Sequence, residues 1–343
     1  MTADLIPKLI QRLLDDEPAD PAALEDALHE IMLGNVDAAR TAGLLVALAG
    51  RRLDARTLAA AARAMRAHRV AVRATVRPLI DTCGTGGDGR GTFNISTATG
   101  LLLAAAGAAV AKHGNRGVSS KVGSADVLEA AGCELALTPD TASAMLDATG
   151  FAFLFAPAFH PAMAHVAPVR KSLAIRTVFN LLGPLTNPAL AEHQLLGVYD
   201  PSLTETVATA LLELDTAAAI VVHCAGLDEI GLHGITSGHR VRNGRVEPYR
   251  LDPAEFGLAC PTLDPITGGD AATNLTLLQR SLTTTSGPAA DIVALNGAVA
   301  LELCGRVPDV RAGLETAREL QSLGAGLRVL ERYAESSARR ARV

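Results

Sequence analysis

The chain has 343 residues, 49% of them hydrophobic and only 3% aromatic, with no tryptophan and a formal net charge of -5. That length exceeds what one core usually fills, so two domains are expected, and the mildly acidic balance argues against nucleic acid as the main partner. Five scattered cysteines without a CxxC pair point to neither a disulfide framework nor a zinc site; with no basic-then-apolar leader after Met1 and no apolar run long enough to span a bilayer, a soluble cytoplasmic protein is expected.

Residues 3–15 carry Leu5, Ile6, Leu9, Ile10 and Leu13 at helical spacing. Asp20-Pro21 supplies an N-cap and a first-turn proline for a second helix, which Gly34 closes. Residues 36–49 and 53–65 read as two more. Four short, alanine-rich helices predict a small bundle with apolar faces at 31–33 and 44–48. Those faces either cover a larger domain or meet a second copy of the chain, and a dimer is the preferred expectation.

The next stretch organises the rest. Leu79-Ile80 reads as a buried strand, followed by Asp81-Thr82-Cys83 and the glycine cluster Gly84-Thr85-Gly86-Gly87-Asp88-Gly89-Arg90-Gly91. Asn94 and Ser96 are suited to cap the apolar run 98–106, and 108–111 reads as a second strand ending at Lys112-His113-Gly114-Asn115-Arg116. A glycine loop leading to a helix N-terminus gathers free N–H donors and the positive end of a helix dipole, which suits phosphate. Gly84-x-Gly86-x-x-Gly89 also matches the dinucleotide fingerprint. Against that reading, five residues separate Gly89 from the helix start, and Lys112, His113 and Arg116 stand where a ribose-binding acid is needed.

A second glycine- and serine-rich loop runs over 114–124 with Arg116 and Lys121, and leads into a helix that Ser124 or Asp126-x-x-Glu129 begins and Gly132 ends. Thr138-Pro139 opens another helix, and 151–156 is a continuous apolar run suited to a buried parallel strand. Residues 162–182 keep a helical pattern with Arg170 and Arg176 inside it, and 183–188 reads as a rigid turn back to the larger domain. A strand is predicted at 218–223, with Asp228-Glu229 just beyond its end. Asn243-Gly244 marks a type I′ hairpin within 240–250. Helices are expected over 270–282, 288–303, 309–323 and 327–342.

In this order, Gly84-Thr85-Gly86-Gly87-Asp88, Asn94-Ile95-Ser96-Thr97, Lys112-His113-Gly114-Asn115-Arg116, Val118-Ser119-Ser120-Lys121, His160-Pro161-Ala162-Met163, Arg176-Thr177-Val178-Phe179-Asn180 and Gly268-Gly269-Asp270 span most of the chain. Together they resemble the anthranilate phosphoribosyltransferases of tryptophan biosynthesis. The resemblance implies an all-helical domain, residues 1–70 completed by about 161–185, and an α/β domain, 71–343, with a mainly parallel sheet flanked by helices. It implies a homodimer through the helical domain. Phosphoribosyl pyrophosphate would lie on Gly84, Gly87, Asp88, Thr92, Asn94, Ile95, Ser96, Thr97, on Lys112 through Ser120 (Lys112, His113, Gly114, Asn115, Arg116, Gly117, Val118, Ser119, Ser120), and on Ser124. Gly84, Asn115 and Arg170 would hold anthranilate, and Ser96, Asp228 and Glu229 would hold Mg²⁺. Gly117 and Val122 depart from residues common in the family, without removing a charge.

The implied reaction joins the amine of anthranilate to ribose C1 and releases pyrophosphate. An aryl amine is neutral at physiological pH, so positioning and electrostatics suffice, with Lys112 and loop amides facing the leaving group and no residue assigned as acid or base. His113 and His160 are either neighbours of the aromatic ring or hydrogen-bonded core residues. The competing readings are a pyrimidine nucleoside phosphorylase-like enzyme and a non-catalytic nucleic-acid-binding relative; the retained glycine loop and acidic pair argue against the latter.

Overall fold

The protein, described here from a computed structural model, is defined over residues 4–117 and 121–340. The expected contacts at Val118, Ser119 and Ser120 lie outside the described residues.

Four helices come first: α1 (Leu5–Leu14), α2 (Pro21–Met32), α3 (Ala38–Ala49) and α4 (Ala55–Ala67). Asp20, Asp37 and Asp54 start the last three, each carboxylate accepting an amide of the first turn. The chain then alternates strand and helix: β1 (Leu79–Gly84), α5 (Ile95–Ala105), β2 (Ala109–Gly114), α6 (Ser124–Ala130), α7 (Pro139–Thr149), β3 (Phe151–Phe155) and the single turn α8 (Ala156–Phe159). After a 3₁₀ turn at Pro161–His165 come α9 (Ala167–Leu173), α10 (Phe179–Leu185), β4 (His193–Gly197), α11 (Thr204–Glu213), β5 (Ala218–His223), β6 (Thr236–Arg242) and β7 (Arg245–Leu251). The last helices are α12 (Ala271–Ser281), α13 (Pro288–Leu303), α14 (Val310–Ser322) and α15 (Ala325–Arg340). None of the described helices is long and apolar enough to cross a membrane.

Among the described residues all seven strands form one sheet in the order β3-β2-β1-β4-β5-β6-β7; the first five are parallel and the last two antiparallel. Asn243 and Gly244, at φ 53° and 71°, make the predicted type I′ turn of the β6–β7 hairpin. Successive strand residues face opposite sides. Ile80, Leu195 and Ile220 pack under α5, α7, α13 and α15, whereas Cys83, Leu196 and Val221 share a core with α11 and the four-helix bundle. Val166, Val169, Phe179, Leu182 and Leu185 belong to that second core.

Three local expectations need correction. The helical pattern over 162–182 is broken: α9 stops at Ala174, which is left-handed at φ 51°, and residues up to Val178 cross to α10 without helical form. Apolar spacing runs through this break because both helices bury the same side, so periodicity cannot reveal it. Arg176 therefore sits on a connector, not in a helix. Gly183, Pro184 and Leu185 complete α10, and the turn falls just after them. Helix α5 begins at Ile95, and Asn94 occupies the cap position without a side-chain cap bond; its side chain instead meets Asn274 at 3.0 Å and the Val122 carbonyl at 3.5 Å.

Candidate active site

Strands β1 and β4 are neighbours, but the connections from β1 run one way along the sheet and those from β4 the other. A crevice opens at the carboxyl ends of strands where the order reverses in this way. Gly84 and Gly197, paired across β1 and β4, form its floor. Both are glycine because Asp228 lies against them. A Cβ on Gly84 would be 2.5 Å from Asp228 Oδ2, and one on Gly197 would overlap the Asp228 carbonyl. Asp228 of the predicted acidic pair, from beyond the end of β5, is thus pressed into a glycine notch. Asp228 is only 9% exposed, not the open surface charge its sequence setting allows.

The glycine loop rises from this floor, with Gly86, Gly87, Gly89 and Gly91 at φ between 64° and 78°, where side chains are disfavoured. Its anchors are the Thr85 amide on the Gly197 carbonyl, 2.9 Å, and Thr85 Oγ1 accepting the Tyr199 amide, 3.1 Å. Arg176 donates to the Gly87 carbonyl while its guanidinium stands 4.1 Å over the Tyr199 ring. Gly86 N–H donates to Asp228 Oδ2 at 2.7 Å, and Ser96 N–H, in the first turn of α5, to Glu229 Oε1 at 3.1 Å. Glycine loop, helix start and acidic pair therefore meet in one crevice.

Lys112 lies beneath them, 2% exposed, donating to the Thr82 carbonyl and to Ser96 Oγ at 3.1 Å. A buried ammonium requires charge nearby. Asp81, fully buried, and Glu229 both feel Lys112, which partly offsets the rise that burial imposes on each: Asp81 to about 6 and Glu229 to about 7. Asp228 is held well above the carboxylate range by burial first and then by the charges of Asp88 and Glu229. Asp81 also bridges the splayed ends of β1 and β2, accepting the His113 amide at 3.2 Å and Asn187 Nδ2 at 2.8 Å. Asp81 was not among the expected site residues. Its signal was an acid inside a buried strand three residues before the first glycine.

The far wall comes from a distant part of the chain. Phe93 N–H bonds the Ile266 carbonyl, Gly268 N–H the Gly91 carbonyl, and Thr92 bridges Thr267. A cleft of about 310 Å³ lies between Gly87, Asp88, Thr92, Lys121, Gly268 and Asn274, among others. The Gly268-Gly269-Asp270 block, quoted in the resemblance without a role, supplies this wall; glycines before an N-cap aspartate were its signal. Thr97 is buried in α5, with Oγ1 lacking a partner among the described residues. Arg116 is drawn away from the crevice to Glu129 at 2.7 Å and Asp126 at 3.1 Å. Asp126 takes the Gly117 and Gly123 amides, which fixes the start of α6 at Ser124. Gly114 is held close: a Cβ there would be 2.6 Å from the Phe153 ring.

On the other side, Arg170 projects from α9 over the Phe179 ring at 5.5 Å, and no carboxylate among the described residues forms an ion pair with it. Burial lowers its pKa. The His113 and His160 rings meet at a tilt of 51°, with centroids 5.1 Å apart; Nδ1 of the first meets the Gly183 carbonyl at 2.9 Å and Nε2 of the second the Thr186 carbonyl at 3.0 Å. Burial above all holds His113 at about 3 and His160 at about 4. Each folded value lies below the unfolded one, so each ring contributes stability above about pH 6.5 that is lost as the pH falls toward 4. Urea unfolding should show His160→Gln losing about 2 kcal/mol less than wild type between pH 7 and pH 5; parallel losses would refute the assignment. Asn115 keeps Oδ1 on the Arg116 amide at 2.8 Å, and Ser124 Oγ reaches the Asn115 carbonyl at 3.4 Å.

Among the described residues no three His, Cys, Asp or Glu side chains group as a metal-binding set. The adjacent acids Asp228 and Glu229 have Asp88 near the first and the Ser96 hydroxyl, bound by Lys112, near the second.

Comparison with known proteins gives a consistent result. The family model described as glycosyl transferase family, a/b domain, matches residues 76–327, and the family's helical bundle domain matches residues 7–69. The chain is 43% identical over 332 residues to the anthranilate phosphoribosyltransferase of Symbiobacterium thermophilum, covering 96% of this chain and 97% of that one. It is 47% identical over 308 residues to that of Brevibacillus brevis, covering 90% of each. Among solved structures, the anthranilate phosphoribosyltransferase of Thermus thermophilus superposes with a TM-score of 0.90 at 43% identity, over 96% of this chain and 99% of that one. The enzyme of Saccharomyces cerevisiae in complex with PRPP and Mg superposes with a TM-score of 0.88 at 29% identity, over 97% and 98%.

Proposed function

The chain belongs to the anthranilate phosphoribosyltransferases, glycosyl transferases with a helical bundle domain ahead of an α/β domain, and from that premise we infer the chemistry of its crevice. The enzyme transfers the phosphoribosyl group of phosphoribosyl pyrophosphate to the amino group of anthranilate and releases pyrophosphate, a step of tryptophan biosynthesis. One observation carries the reading: a buried acidic pair faces a glycine loop and a helix N-terminus across the point where the strand order reverses. The test is loss of anthranilate fluorescence together with pyrophosphate release in the presence of phosphoribosyl pyrophosphate and magnesium. No turnover would defeat it.

The residues fit a hard divalent cation. Asp228 brings a carboxylate into a notch that a Cβ would fill, and Glu229 adds a second oxygen donor beside it at the Ser96 amide. We assign Asp228, Glu229 and the Ser96 hydroxyl to Mg²⁺, which when bound supplies charge neutralisation at the departing pyrophosphate. The amides of the glycine loop and of Ile95 to Thr97, with Thr92 and Asn94, take the pyrophosphate and ribose. Lys112 acts from beneath, fixing Ser96 Oγ and adding positive charge under the leaving group. No proton needs to be removed from the amine before attack, which agrees with two neutral histidines bound to backbone carbonyls.

Arg170, with Gly84 and Asn115, is assigned to the carboxylate of anthranilate, because a guanidinium without an acidic partner offers a paired charge-assisted contact. Arg170→Gln should raise KM for anthranilate roughly thirtyfold with a smaller change in kcat, since the contact forms in both ground and transition states. Steady-state kinetics with an unchanged KM would remove Arg170 from the site.

The shared core of the bundle with α9 and α10 supports a helical domain of residues 1–70 completed by about 161–185, and an α/β domain of 71–343. Exposed Leu14, Leu33 and Val46 on the bundle support a homodimer through this domain. Light scattering should give about twice the chain mass of 35.4 kDa; a monomer at micromolar concentration would refute it. Five unpaired cysteines support a reducing, cytoplasmic location.

A further inference from the structure

Two hydrogen bonds in the crevice join amides assigned to pyrophosphate with carboxylates assigned to the divalent cation. Gly86 N–H donates to Asp228 Oδ2 at 2.7 Å, and Ser96 N–H donates to Glu229 Oε1 at 3.1 Å. Both amides belong to the backbone that faces phosphate. Gly86 is left-handed at φ 67° in the glycine loop, and Ser96 is the second residue of α5, where an N–H has no acceptor within the helix. Both carboxylates belong to the cation side. A carboxylate oxygen and a phosphate oxygen satisfy an amide in the same way, as an anionic acceptor at short range. Each carboxylate thus occupies a place that a phosphate oxygen takes.

The pairing is not a local accident, since the partners are 142 and 133 residues apart in sequence. The Gly84 and Gly197 notch lets Asp228 approach so closely. The loop itself is pinned on its other side, by Thr85 to Gly197 and Tyr199 and by Arg176 to the Gly87 carbonyl. With the amide fixed in place, the element free to change is its acceptor.

We propose that Asp228 and Glu229 cap the pyrophosphate-binding amides of Gly86 and Ser96 in the ligand-free enzyme, so that pyrophosphate and the divalent cation bind synergistically. The proposal rests on the assignment of this crevice to phosphoribosyl pyrophosphate. Without the cation, pyrophosphate meets two occupied donors and two carboxylates. With it, the carboxylates face positive charge and the amides are released to the anion. The cost of uncapping is then met by the pair of ligands together, and neither alone reaches full affinity.

A change of sign tests this. Inorganic pyrophosphate is titrated calorimetrically into the full-length protein, once in EDTA and once in excess magnesium chloride, for wild type, Asp228→Ala and Asp228→Asn. In EDTA, Asp228→Ala should bind pyrophosphate about tenfold more tightly than wild type; in magnesium it should bind about tenfold or more weakly. Asp228→Asn loses the charge but keeps an oxygen for Gly86 N–H, so its gain in EDTA should be clearly smaller than that of Asp228→Ala. Equal gains by the two variants would show charge relief without capping and overturn the proposal, as would weaker binding of Asp228→Ala in both conditions. Should wild type fail to bind pyrophosphate even with magnesium, the assignment of the crevice falls first. Amide hydrogen exchange on wild type gives an independent measure that needs no variant. The Gly86 and Ser96 amides should be protected in EDTA and lose protection on addition of magnesium alone; unchanged protection overturns the proposal.

Discussion

Asp228→Asn combined with Glu229→Gln is expected to lower kcat about a thousandfold in saturating magnesium, while KM for anthranilate changes little. The two carboxylates accept the Gly86 and Ser96 amides in the crevice, and the proposed reading sets them beside the leaving pyrophosphate, where charge develops. Electrostatic stabilisation of such charge in a water-poor site contributes about 3–4 kcal/mol per preorganised interaction, and the cation depends on both oxygens. Arg170 lies on α9 and is untouched by the change, which is why acceptor binding survives. The variant also removes two buried carboxylates whose charged forms burial disfavours, so its thermal stability should hold or rise. Wild-type turnover in the double variant would remove the acidic pair from catalysis altogether.

Gly197→Ala is expected to be the most damaging single methyl group that can be added near the site. The new Cβ would overlap the Asp228 backbone carbonyl, and backbone cannot rotate away as a side chain can. Gly197 is hydrogen-bonded into the sheet between Gly84 and Val222, so β4 cannot retreat either. Overpacking of this kind costs about 3 kcal/mol or more, a fall in Tm of roughly 4 °C or more for a chain of this size, together with loss of activity as Asp228 leaves the notch. Gly84→Ala meets the Asp228 side chain instead. It should keep most of its stability and still lose activity, because the carboxylate can swing out where a backbone cannot. Calorimetric unfolding beside steady-state rates separates the two. A Gly197→Ala protein melting with wild type would show that the close approach is not present in solution.

Much of this was legible from residues alone, for a shared physical reason. Asp20-Pro21 starts a helix because a carboxylate can reach an amide two residues on. Asn243-Gly244 turns a hairpin because these two residues accept positive φ. The glycine loop, the start of α5 and the acidic pair could be named before any fold was known, since each is a short run with one chemical use. Departures began where partners are far apart. A helical pattern continuing through 162–182 concealed the break at Ala174, because both sides of the break face the same core.

Sequence by itself thus determined many of the elements, some of their caps and turns, and which short segments suit phosphate, metal and carboxylate, because those properties depend on neighbours within about four residues; β4, α11 and the break after α9 were not among them. Tertiary structure alone decided that Lys112 is buried between Asp81 and Glu229, that Arg176 reaches the glycine loop from a connector, that residues 266–274 wall the cleft, and that Asp228 is pressed into a glycine notch. Those outcomes depend on which distant segments the packed sheet and helices bring within hydrogen-bond range, and burial then sets the charge state of the groups that meet there.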